Sequence, residues 1–180
     1  MSNMRLLADH SITSDVASVE IENVFSEDFD TYKIVSSGIL LSSTGGTNIN
    51  FRLLDSTGLP VISSNYTVAI YNLKSGGSFS DNNRGTGNTS VGFFFGRAGA
   101  GGQSTGTQAT LFNPFSTSIM TFGFFENVYN NNNINQEGSK GVFTYTDEAR
   151  HTGIQAYATS NMSAGNFRIF GIRRNSWSEI

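Results

Sequence analysis

Asn48-Ile49-Asn50-Phe51-Arg52-Leu53 alternates polar and apolar side chains without a break. A β-strand sends successive side chains to opposite faces, so Ile49, Phe51 and Leu53 share one face and can be buried together. On a helix the same three would be scattered round the cylinder. Upstream, Val19-Glu20-Ile21-Glu22-Asn23 repeats the period of two. The periodic signal of this chain is that of a strand.

Outward from that stretch, the same reading gives about ten runs: residues 16–25, 32–41, 48–55, 66–73, 90–96, 107–113, 119–127, 141–145, 153–159 and 166–173. Turn clusters separate them, among them Ser42-Ser43-Thr44-Gly45-Gly46, Asp55-Ser56-Thr57-Gly58, Ser75-Gly76-Gly77 and Asn161-Met162-Ser163-Ala164-Gly165. Glycine reaches positive φ without steric cost and Asn tolerates it, so each cluster can reverse the chain. Many short strands at regular spacing predict an all-β, antiparallel sandwich or barrel with no significant helix. Residues 85–106 are rich in Gly, Ser, Thr and Asn around Phe93-Phe94-Phe95, and Tyr129 opens an Asn-rich loop. Periodicity begins near Val16. The expected organisation is an N-terminal arm over 1–14, a β-sandwich over 15–174 and a C-terminal tail over 175–180.

Composition narrows the function. The 180 residues carry a net charge of −3, 37% hydrophobic residues, 12% aromatics and only 14% charged residues. Disordered chains combine low hydrophobicity with high net charge, which this chain lacks. A nucleic-acid binder is normally basic, so no nucleic-acid partner is expected. With Cys 0, no disulfide, thiolate metal site or cysteine nucleophile is possible. No apolar run approaches the length of a membrane helix, so no membrane partner is expected. The N-terminal run Leu6-Leu7-Ala8 stops at Asp9, too short for a signal-peptide core. The expectation is synthesis in a cytoplasm, or export by another route. Three glycosylation sequons, at Asn65, Asn88 and Asn161, lack that secretory context.

Gly102-Gln103-Ser104-Thr105-Gly106 spells G-x-S-x-G, and Asp147 and His151 follow in the acid-then-base order of a hydrolase. The motif needs a strand before it and a helix after it. Here Ala98-Gly99-Ala100-Gly101 precedes and Thr107-Gln108-Ala109-Thr110 follows, so the favoured reading is a glycine loop. No phosphate-binding glycine motif is present. Glu27, Asp28 and Asp30 could hold Ca²⁺ or act as paired carboxylates; a solvated turn before the next strand is the plainer reading. His151, beside Asp147, Glu148 and Arg150, reads as a surface loop residue. The arginines are scattered. No cofactor, metal or catalytic residue is expected.

The aromatic surplus says more. Phe93-Phe94-Phe95 and Phe122-Gly123-Phe124-Phe125 put Phe on both faces of their strands, whereas a half-exposed antiparallel sheet keeps one face polar. Such strands are buried on both sides, either within one core or against another copy of the chain.

Phe29-Asp30-Thr31-Tyr32-Lys33-Ile34, Ile49-Asn50-Phe51-Arg52-Leu53-Leu54-Asp55, Leu111-Phe112-Asn113-Pro114-Phe115-Ser116-Thr117 and the ending Met162-Ser163-Ala164-Gly165-Asn166-Phe167-Arg168-Ile169-Phe170-Gly171-Ile172 occur in order over most of residues 28–173. With these motifs the chain resembles a loosely related group of small virion proteins of tailed bacteriophages, especially those of cyanobacteria and other aquatic bacteria. The resemblance implies a jelly-roll-like β-sandwich of about eight to ten strands, no enzymatic activity, and a place on the particle exterior after synthesis in the bacterial host. The expected role is capsid decoration or cementing through the major capsid protein and self-association, most simply as a homotrimer. The alternative is a tail-fibre, collar or baseplate component, with an exposed aromatic such as Tyr129 stacking on a host glycan. Candidate interface residues are Arg5, Leu6 and Leu7 in the arm, Phe93, Phe94, Phe95, Phe124 and Phe125 in the two-faced runs, and Trp177 in the tail, either as an anchor or as a cap on the sandwich's own end.

Overall fold

The computed structural model describes residues 3–77, 80–100, 102–130 and 136–173, with the backbone alone for 80–84. Among them there are twelve strands and no helix. They are β1 (Met4–Ile12), β2 (Val16–Ile21), β3 (Phe29–Leu41), β4 (Thr47–Asn48), β5 (Asn50–Leu54), β6 (Tyr66–Lys74), β7 (Ser80–Asn88), β8 (Arg97–Ala98), β9 (Thr105–Phe112), β10 (Thr121–Asn130), β11 (Gln136–Tyr145) and β12 (Gly153–Arg173).

The chain forms the expected antiparallel, jelly-roll-like β-sandwich. The large layer runs β1-β12-β3-β9-β10-β11-β6-β7. The small layer sets the first part of β12 between β2 and β5, with Ile154 opposite both Ile21 and Leu53. The 21-residue β12 therefore serves both layers. Its pairing slips twice between Met162 and Asn166, where it passes from one layer to the other. The cluster at residues 161–165, expected to reverse the chain, instead bends a continuous strand at bulges.

Period two is clearest in β10, where buried and exposed residues alternate over all ten positions. Its inward Phe125 meets a core of rings from both layers. Phe94 stacks on Phe51 at 4.3 Å between centroids and stands 4.8 Å from both Phe95 and Phe125, while Phe51 reaches Phe143 at 5.4 Å. Such pairs add about 0.5–1.5 kcal/mol each beyond the area they bury. Glycines make room for them. Phe125 lies opposite Gly141, and a Cβ there would fall 2.4 Å from the Phe125 ring.

Three parts depart from expectation. Residues 4–12 are not a free arm: they zip onto β12 as an edge strand, from Met4 opposite Ile172 to Ile12 opposite Gly165. Residues 92–95 are a turn, not a strand, with Phe93 at φ +56° and Phe94 and Phe95 driven into the core. The polar stretch 80–88, unread as a strand, pairs with β6.

Candidate functional site

The outer face of the large layer is unusually apolar. One row of cross-strand partners runs Leu6, Phe170, Lys33, Thr110, Phe124 and Val142 from β1 to β11. The next runs Met4, Ile172, Thr31, Phe112, Phe122 and Thr144. Leu6, Phe124 and Val142 are 50%, 47% and 56% exposed. Phe112 and Phe122 stack at 5.0 Å, and Phe124 stands 6.2 Å from Phe112. Lys33 is the one charged side chain in these two rows. The third row turns polar, with Arg168, Gln108, Glu126 and Lys140. Lys140 Nζ meets Glu126 Oε1 at 2.8 Å, both largely exposed, a pair worth under about 1 kcal/mol. An apolar field with a polar rim has the anatomy of a protein interface.

Behind this face lies a buried polar layer. Asn127 points inward from β10; its Nδ2 donates to the carbonyls of Phe93 (2.6 Å) and Phe94 (3.4 Å), and its Oδ1 accepts from Ser139 N (3.0 Å). Ser139 Oγ donates to Asn72 Oδ1 at 2.7 Å, and Thr105 Oγ1 donates to Phe95 O at 2.7 Å. These groups peg the 92–95 turn to the large layer. Neither Asn127 nor Thr105 carried a sequence signal, because the turn they hold is distant in the chain.

The candidate residues separate into groups. Arg5, Leu6 and Phe124 are exposed, and Leu7 and Phe93 are half-buried against the core. Phe94, Phe95 and Phe125 are buried in the chain's own core, which leaves them no surface for a partner. Trp177 lies outside the described residues. On β10 the two faces differ: Phe125 lies in the chain's own core, whereas Phe122 and Phe124 face outward and are exposed.

The hydrolase constellation is not assembled. Asn130 N donates to Ser104 O at one end of β10, and Thr121 Oγ1 lies 3.4 Å from His151 Nδ1 at the other. Nine residue steps separate the two ends of β10, about 30 Å at ~3.4 Å each. A strand, β9, follows Ser104 where the motif needs a helix. Among the described residues, no three His, Asp or Glu side chains stand close enough to share a metal ion, the group at Glu27, Asp28 and Asp30 included. Tyr129, expected on an exposed loop, is buried on β10 and donates to Glu137 Oε2 at 3.1 Å; burial pushes its hydroxyl up to about 12.

His151 is likewise no surface residue. It is 1% exposed, edge-on to Tyr145 at 4.9 Å, with its backbone N–H on Pro114 O at 2.8 Å. Burial pushes the imidazole down to about 4, against the Pro114 backbone and the carboxylates of Asp55 and Asp147. Below pH 6.5 the unfolded chain takes up a proton that the folded chain refuses. Stability should therefore fall by about 3 kcal/mol in all as pH drops from about 6.5 to about 4, then level off for this group. Urea unfolding of the natural chain at pH 7 and 4.5, beside His151→Phe, checks this: the variant should lose most of the slope. An equal slope in both assigns the acid sensitivity elsewhere.

No protein-family model matches the sequence, and no curated protein matches it. Six chains of known structure match. One is the CBM2 module of Lactobacillus casei BL23 phage J-1 evolved Dit, with TM-score 0.25, 11% identity, and 89% of this chain and 70% of that chain covered. Another is the infectious bursal disease virus VP2 subviral particle, with TM-score 0.15, 11% identity, and 96% of this chain and 41% of that chain covered. The infectious bursal disease virus Gx strain structure gives TM-score 0.15 and 12% identity, with 96% and 40% covered. This chain spans about two fifths of the bursal disease virus chains. Likenesses this weak carry no argument about function, and the fold assignment rests on the strand pairing of the chain itself.

Proposed function

We propose that this protein is a structural component of a tailed-bacteriophage virion that decorates the capsid exterior and cements the major capsid protein lattice. The observation that carries the reading is the apolar outer face of the large layer, a surface built for protein contact. The family resemblance over residues 28–173 supplies the setting. A coat protein gains strength by repeating a modest contact over many copies. A rigid sandwich suits that use, because its contact residues stand on strands and lose little freedom on binding. The edge strand β1 does not need to order on a neighbour, since it is already paired; the shell contact falls to the sandwich surface.

Copy number tests the reading. Particles of the encoding phage are purified on a gradient, and this chain is quantified against the major shell protein by mass spectrometry. Hundreds of copies, in simple ratio to the shell protein, are expected. A few to a few tens would move the protein to the tail, collar or baseplate. Absence from the particle would overturn the virion reading.

A further inference from the structure

We propose that the outer face of the large layer is the seat of a second copy of this chain, the two sheets stacking face to face across Phe112, Phe122, Phe124 and Val142. A sheet apolar on both sides is normally covered on both sides. Here the inner side is covered by β2, β5 and the Phe93–Phe95 turn, while on the outer side, among the described residues, no strand is layered over the six from β1 to β11 and Leu6, Phe122, Phe124 and Val142 stay exposed.

Area argues for a copy of the chain as the occupant. Met4, Leu6, Phe122, Phe124 and Val142 are 47%, 50%, 41%, 47% and 56% exposed. At about 100 Å² each, with smaller shares from half-buried Phe112, Phe170 and Ile172, the apolar field covers roughly 600 Å². That is at the upper end of what a monomer leaves open, and the polar third row brings it to the ~800 Å² that each partner gives to a stable interface. One self-complementary patch is enough, because a two-fold contact uses the same surface on both copies. Phe122 and Phe124, which with Phe112 and Val142 form the β9–β11 side of the field, are its anchors, and the Glu126–Lys140 pair stays on the wet rim.

The inference deepens the virion reading by naming one partner of this face, yet its argument concerns the isolated chain. Light scattering on the purified protein can therefore fail while copy number holds, or hold while copy number fails. The natural chain at about 100 μM should show twice the monomer mass. Phe124→Ser should reduce it to the monomer with far-UV circular dichroism unchanged. Val142→Lys should do the same, and decides the matter if the first variant misfolds. Ile62→Ser removes an exposed apolar side chain outside this face and should leave the dimer intact. A monomeric natural chain, a trimer, or a dimer that survives Phe124→Ser and Val142→Lys would overturn the proposal.

Discussion

Asn127→Ala should cost about 4 kcal/mol of folding stability, although it removes only one small polar side chain. Asn127 is 4% exposed and makes three hydrogen bonds: to the carbonyls of Phe93 and Phe94, and from the Ser139 amide. Phe93 O keeps the Gly96 N–H at 2.9 Å, but truncation takes the side-chain partner from Phe94 O and Ser139 N, and a buried polar group left without its partner costs about 1–3 kcal/mol. The turn they belong to is already strained. Phe93 sits at φ +56°, which a residue with a Cβ adopts at a cost of order 1 kcal/mol. Without the peg, the backbone that seats Phe94 and Phe95 in the ring cluster is free to relax, and the cluster loosens with it. Urea denaturation followed by tyrosine fluorescence measures the loss. Asn127→Asp should be at least as harmful, because a carboxylate would face the two carbonyls that the amide now serves. A loss below about 1 kcal/mol for Asn127→Ala would mean that ring packing alone holds the turn.

That peg also marks where the sequence stops being readable. Phe93-Phe94-Phe95 looks like a strand because three aromatics in a row have high strand propensity, and propensity yields to tertiary context. What bends them is Asn127, more than thirty positions away. His151 and Tyr129 went the same way: beside charged or Asn-rich neighbours they look exposed, but Thr121, Tyr145 and Pro114 close over the one and Glu137 bonds the other. Strands with an unbroken period were legible, as β5 and β10 show. β1 was not, although β3, whose pairing also slips, was read over 32–41. β1 slips register between Leu6 and Ala8, so the alternation is lost where it would have been recognised. In β7 the pairing with β6 is made by backbone, and a Gly- and Asn-rich strand leaves no side-chain pattern to read. The outer face was half legible. Phe on both sides of β10 announced a second apolar surface, but its extent depends on β1, β12 and β9 lying beside β10, which is topology.

Gly165→Ala should cost about 4 kcal/mol as well, by the opposite mechanism. Gly165 sits at φ +131°, outside the range that L side chains favour, on the stretch where β12 changes layers. An added Cβ would fall 2.4 Å from Ile39 Cδ1 and 2.8 Å from Ile39 Cα. The methyl group could rotate away, but the Cα belongs to β3. That strand cannot withdraw, because Ile39 is paired with Thr105 of β9 on its other side. Backbone strain and overpacking each contribute about 1–3 kcal/mol, and they add here because one atom causes both. Gly38 provides the comparison. It lies on β3 next to Ile39, also at positive φ (+63°), but a Cβ there meets nothing within 4 Å. Gly38→Ala should therefore cost only about 1 kcal/mol, the conformational part alone. Thermal melts of the two variants should differ by about 10 °C at this chain length. Equal melting temperatures would mean that β3 yields to the new methyl group, and that the bend in β12 is softer than its pairing on both sides implies.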